Sequence, residues 1–88
     1  MKRKEGITAG KNLCGARIRE AREAKAKKEG RKFTIVSLMA ALAVDHGIEM
    51  DTRVLARIER QERQINDKEL LAISEVLEVS LDWLLKGD

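Results

Sequence analysis

Apolar positions along this 88-residue chain recur at spacings of three and four, and no stretch alternates apolar with polar residues as a half-buried strand would. The pattern predicts five helices. The first runs from about Ala9 to Lys28, with Cys14, Ile18, Ala21 and the aliphatic stem of Arg22 on one face and Gly30 just beyond it as a stop. The second begins at Thr34, whose hydroxyl caps free backbone N–H groups, and runs to Val44 or Asp45 with Gly47 behind it. The third begins at the capping residue Asp51 and extends to about Arg60. The fourth spans Asp67 to Leu77 and is expected to bury Leu70, Leu71, Ser74 and Leu77. The fifth starts at Ser80 and carries Leu81, Trp83, Leu84 and Leu85, with Asp82 in its first turn, where the helix dipole favours an acid. Residues 1–12, with Gly6, Gly10 and the Lys2 to Lys4 run, are read as a flexible basic arm, and residues 13–88 as one domain.

Composition agrees with an all-helical chain: ten Leu, ten Ala and no Pro. At this length a single core is the upper bound, which leaves no room for a separate sensor or catalytic domain. The longest apolar run, Leu38 to Val44, is far short of the roughly 20 residues needed to span a bilayer. One cysteine allows no internal disulfide, and the N-terminus has no apolar signal region, so a reduced, cytoplasmic setting is expected. The net charge of +3 conceals an asymmetry. Residues 1–32 hold twelve Lys or Arg against four acids (+8), and residues 33–88 hold six against eleven (−5). Within that acidic remainder, Arg53, Arg57, Arg60 and Arg63 form a basic island. A basic tract of this kind suits an anionic partner, although a merely solvated face is its commoner meaning.

The third segment decides between those meanings. On a helical wheel Thr52, Arg53, Ala56, Arg57 and Arg60 share one half, while Val54, Leu55 and Ile58 share the other. Such a helix packs by its back and presents a basic front. A major groove admits an α-helix, Arg donates two hydrogen bonds to the O6 and N7 edge of guanine, and Ala56 lets the backbone come close. The amphipathic segment Thr34 to Val44, joined to it through His46 and Gly47, completes the order of a helix-turn-helix.

Three runs, Arg17-Ile18-Arg19-Glu20-Ala21-Arg22-Glu23, Asp51 to Arg60, and Glu69 to Leu85 with its closing Val79-Ser80-Leu81-Asp82-Trp83-Leu84-Leu85, resemble the Cro and phage-repressor (XRE) family over residues 13–87. The resemblance implies an all-α, five-helix, lambda-repressor-like fold, dimeric on pseudo-palindromic double-stranded DNA. It makes Asp51 to Arg60 the recognition helix, with Thr52, Arg53, Ala56 and Arg57 at base edges. It places Thr34 and Gln61 to Gln64 at phosphates and pairs Arg22 with Glu59 in a salt bridge that orients the third helix. Lys27, Lys28, Lys32, Arg60 and Arg63 are expected to add phosphate contacts. The chain departs from the pattern in four places. The span from Arg22 to Thr34 is longer, so that either the first helix extends or Lys25 to Lys32 forms a basic loop. The span from Leu42 to Asp51 is longer too. Ile35 replaces a phosphate-clamping Gln. Gln61 and Glu78 stand where Gly commonly ends a helix, which costs a non-Gly residue some strain.

Other chemistry finds little support. Gly6 to Asn12 has one residue too few for a phosphate-binding loop and follows no strand. His46 is the only histidine, which leaves no His-based metal cage or Ser-His-Asp triad, and Cys14 reads as a small core hydrophobe. No cofactor, metal or membrane partner is implied, and no enzyme. The expected function is sequence-specific DNA binding by a homodimeric transcriptional repressor or regulator. The alternative is an antitoxin-like or anti-repressor module whose acidic second half and Leu81 to Leu85 helix bind a protein partner while DNA contact is weak.

Overall fold

The computed structural model describes residues 10–87; Ala9, the expected start of the first helix, and the rest of the arm up to it lie outside them. The described residues form five helices: α1 Gly15–Glu29, α2 Ile35–His46, α3 Thr52–Glu59, α4 Asp67–Leu77 and α5 Leu81–Lys86. No strand occurs among them. None of these helices is long and apolar enough to cross a membrane.

The residue at the N-cap closes four of the five helix starts with its own side chain. Thr34 Oγ1 accepts from Ser37 N at 3.2 Å while Ser37 Oγ accepts from Thr34 N at 3.1 Å, a reciprocal box at the start of α2. Asp51 Oδ1 accepts from Val54 N at 2.9 Å to open α3. Asn66 and Glu69 form a second box at α4, and Ser80 Oγ accepts from Trp83 N at α5. Helix α1 begins six residues later than its periodicity predicts, held back by a local turn that docks on the end of α3. Gly10 adopts φ +76°, and the Asn12 carboxamide oxygen takes the backbone N–H groups of Cys14 and Gly15 at 3.1 and 2.7 Å, so the chain turns before it coils. At its far end α1 extends through Lys25, Lys27 and Lys28 to Glu29, which settles the long Arg22 to Thr34 span as helix plus the short Gly30 to Phe33 connection. Ala and Lys in that stretch favour helix, and Gly30 in the left-handed region stops it. The second long span resolves likewise: α2 reaches His46 before Gly47 ends it at φ +67°.

Ile18, Leu38, Leu42, Leu55, Ile58, Ile73 and Leu84 are completely buried and draw one core from all five helices, with Cys14 and Ala21 beside them. Full burial of each large side chain contributes about 1.5–3 kcal/mol. Helix α3 packs against α1 and α2, α4 against α1 and α2, and α5 closes over α1 and α4. One expectation fails in detail. Leu71 is 48% exposed, and Ala72 and Ile73 take the inward positions instead. On α5 only Leu84 is buried, Trp83 is half-buried, and Leu81 and Leu85 face outward.

Candidate nucleic-acid interface

The sequence divides α3 into an apolar back and a basic front, and the fold holds it that way. Leu55 and Ile58 are fully buried, Arg53, Arg57 and Arg60 are exposed, and Thr52 and Ala56 lie half-buried between them. Glu59, on the inner flank, is buried and meets Arg22 of α1 in a two-pronged pair, Nε to Oε2 at 2.8 Å and Nη2 to Oε1 at 3.0 Å. Arg22 Nη1 also donates to Phe33 O at 3.4 Å, immediately before the cap of α2. One guanidinium therefore locks α3 to α1 and sets the start of α2, with Thr34, relative to the front of α3. The paired carboxylate raises the pKa of Arg22 further, chiefly through its hydrogen bonds.

At the exit of α3 the chain makes a tight, strained turn. Gln61 sits at φ +63°, where residues other than Gly are uncommon, and Glu62 N donates to Arg57 O at 2.8 Å. Gly10 to Asn12, which fall within the expected arm, are docked against this turn. Lys11 N donates to Gln61 O at 2.8 Å, and Gln61 Nε2 donates to Asn12 O at 3.0 Å. The Asn12 amide donates to both Ile58 O and Arg63 O, at 3.0 and 2.8 Å. Gly15 completes the close approach, because a Cβ there would stand 2.3 Å from Ile58 O. Asn12 and Gly15, neither of them a candidate from the sequence, thus fix where α3 ends. The only local signal was an Asn three residues ahead of a helix start, a spacing typical of backbone-capping side chains.

The other candidates fall into three groups. Arg63, Gln64, Arg57, Glu62, Lys11 and Gly10 line one polar recess beside the end of α3. Arg60 pairs with Glu62, Nε to Oε2 and Nη2 to Oε1 both at 3.1 Å, while Arg63 Nη1 pairs with Glu69 at 3.2 Å. The Arg60 hydrogen bonds, with Arg57 nearby, hold the Glu62 carboxyl below its ordinary range. Thr34 caps α2 and is exposed, and Lys32 precedes it, also exposed. Lys27 and Lys28 belong to the last turn of α1, where Lys28 Nζ lies 3.8 Å from Glu78, on the turn between α4 and α5. Gln61, half-buried, has its amide engaged on Asn12 O.

No curated protein and no solved structure matches the chain. A family model described as helix-turn-helix matches residues 36–84, from the first turn of α2 into α5. That match covers more than half of the chain and contains both α2 and α3 with the turn between them; the protein belongs to the DNA-binding helix-turn-helix family of Cro and phage-repressor (XRE) type.

Proposed function

We propose that this protein is a sequence-specific transcriptional regulator, a repressor acting as a homodimer on a pseudo-palindromic operator, with α3 laid in the major groove. The observation that carries this reading is the exposed front of α3, Arg53 and Arg57 above half-buried Thr52 and Ala56, on a helix whose back is locked by Leu55, Ile58 and the Arg22–Glu59 pair. Bases are read by Thr52, Arg53, Ala56 and Arg57. Phosphates are held by Thr34, Lys32, Arg60, Arg63 and Gln64, with Lys27 and Lys28 adding charge from the end of α1. Gln61 serves the Asn12 contact instead. Repression would follow from occlusion, the bound dimer excluding other proteins from the same DNA.

The test is operator selection from random duplexes followed by fluorescence anisotropy over a range of salt. Arg53→Ala or Arg57→Ala should cost about 1–3 kcal/mol on the operator and relax preference at particular bases. An equal loss on every sequence would reassign these arginines to phosphates, and no measurable preference for any duplex would sink the regulator reading. Leu81 and Leu85, exposed on α5, favour a second reading in which this helix binds a partner protein. In that reading sedimentation shows a monomer, and DNA binding stays weak at every salt concentration.

A further inference from the structure

The charge on the α3 exit is already compensated within the chain. Arg60 and Glu62 meet in the side-by-side two-bond arrangement by which a guanidinium also grips a phosphate. Both side chains are at least half exposed, 57% and 50%, so the pair stands on the surface and contributes little to stability. The fold does not need it. The main chain nonetheless holds Glu62 in place: its N–H donates to Arg57 O at 2.8 Å, and Arg57 Nη2 reaches Glu62 O at 3.5 Å. Glu62 also lines the recess with Arg57, Arg63, Lys11 and Gln64, while its carboxylate is held by Arg60. Arg63 is matched in turn by Glu69.

We propose that Glu62 is an affinity-setting residue of the DNA-binding face, a built-in stand-in for a phosphate that a duplex must displace before Arg60 can engage. This rests on the reading that the front of α3 faces DNA. Exchanging a carboxylate for a phosphate leaves the arginine paired before and after, so the contact adds little net charge neutralisation. Each cation that newly neutralises a phosphate contributes about −0.9 to the slope of log K against log[salt]. Glu62 removes about one such contribution from every duplex, whatever its sequence, and base-edge contacts by Arg53 and Arg57 then supply a larger share of the binding.

The experiment compares wild type with Glu62→Gln, which keeps shape and removes charge, on the selected operator and on random duplex. Glu62→Gln should tighten both by about 3–10-fold at 0.1 M salt and steepen the slope by about one. Glu20→Gln removes the same charge from the exposed surface of α1 and should shift either affinity by less than about twofold, which separates a local contact from net charge. Unchanged affinity and slope in Glu62→Gln would overturn the proposal. So would a loss confined to the operator, because Glu62 would then be reading a base or steering Arg60. Arg57→Ala distinguishes the two levels of failure. If it weakens operator binding while Glu62→Gln changes nothing, only the phosphate stand-in is wrong; if neither matters, α3 does not face DNA.

Discussion

Replacing Asn12 by Ala tests the least expected contact in the fold. This side chain is only 9% exposed, and both of its polar atoms are engaged: the amide on Ile58 O and Arg63 O, the oxygen on the N–H groups of Cys14 and Gly15 and, at 3.8 Å, on the Cys14 thiol. A typical hydrogen bond contributes a net ~0.5–1.5 kcal/mol, and a buried polar group left without a partner costs ~1–3 kcal/mol. The losses are unequal. Ile58 O still accepts from Gln61 N at 3.0 Å, and Arg63 is only half-buried, so water can reach its carbonyl. Cys14 N and Gly15 N, buried at the first turn of α1, have no such relief, and they dominate a total of about 3 kcal/mol. For a domain of this size each kcal/mol moves Tm by about 4–8 °C, so Asn12→Ala should melt roughly 12–24 °C below wild type in a circular-dichroism scan. Asn12→Asp keeps the acceptor for α1 but turns a carboxylate toward two carbonyl oxygens, and it should be no more stable than the Ala variant. A fall of less than about 3 °C for Ala, or an Asp variant as stable as wild type, would refute the claim that this amide anchors the end of α3.

The remaining expectations concern the same scaffold. Arg22→Met strands Glu59 in its buried position and should cost about 3 kcal/mol in urea denaturation, with much of the loss recovered in the Arg22→Met/Glu59→Leu double variant; strictly additive single effects would mean the two side chains act independently. Glu78→Gly removes the left-handed strain at φ +61° and forfeits only weak surface pairs with Lys25 and Lys28, so it should raise stability by about 0.5 kcal/mol. A lowered urea midpoint would show that those pairs outweigh the strain. Burial pushes the Cys14 thiol pKa upward. The folded value therefore exceeds the unfolded one, and this contribution is complete below the ordinary thiol range, about pH 8.5, and fades as pH rises through the raised value. Wild type should lose more stability than Cys14→Ala between pH 7.5 and 10, and equal losses would remove the thiol as the cause.

How far the fold could be read in advance depended on how local its causes are. Thr34, Asp51 and Ser80 cap helices through bonds to residues three positions on, and α3 separates Leu55 and Ile58 from Arg53 and Arg57 so cleanly that its orientation follows from the wheel. Helix α4 offers no such contrast. Leu70, Leu71, Ala72 and Ile73 are apolar in succession, periodicity cannot choose among them, and packing turned Ile73 rather than Leu71 inward. The start of α1 was hidden for a different reason, since Asn12 acts on residues 46 and 51 positions away. Glu62 carries no such signal, because an acid among arginines reads as charge balance, and only the folded turn shows that it pairs with Arg60.

The close approach at Gly15 also has an evolutionary consequence. No side chain larger than hydrogen fits between α1 and the carbonyl of Ile58, whereas nothing in the described fold depends on the side chain of Arg53. Descendants of this chain would be expected to keep Gly at position 15 and to drift at position 53. Operator preference could then change by single substitutions while the scaffold that presents α3 stays constant.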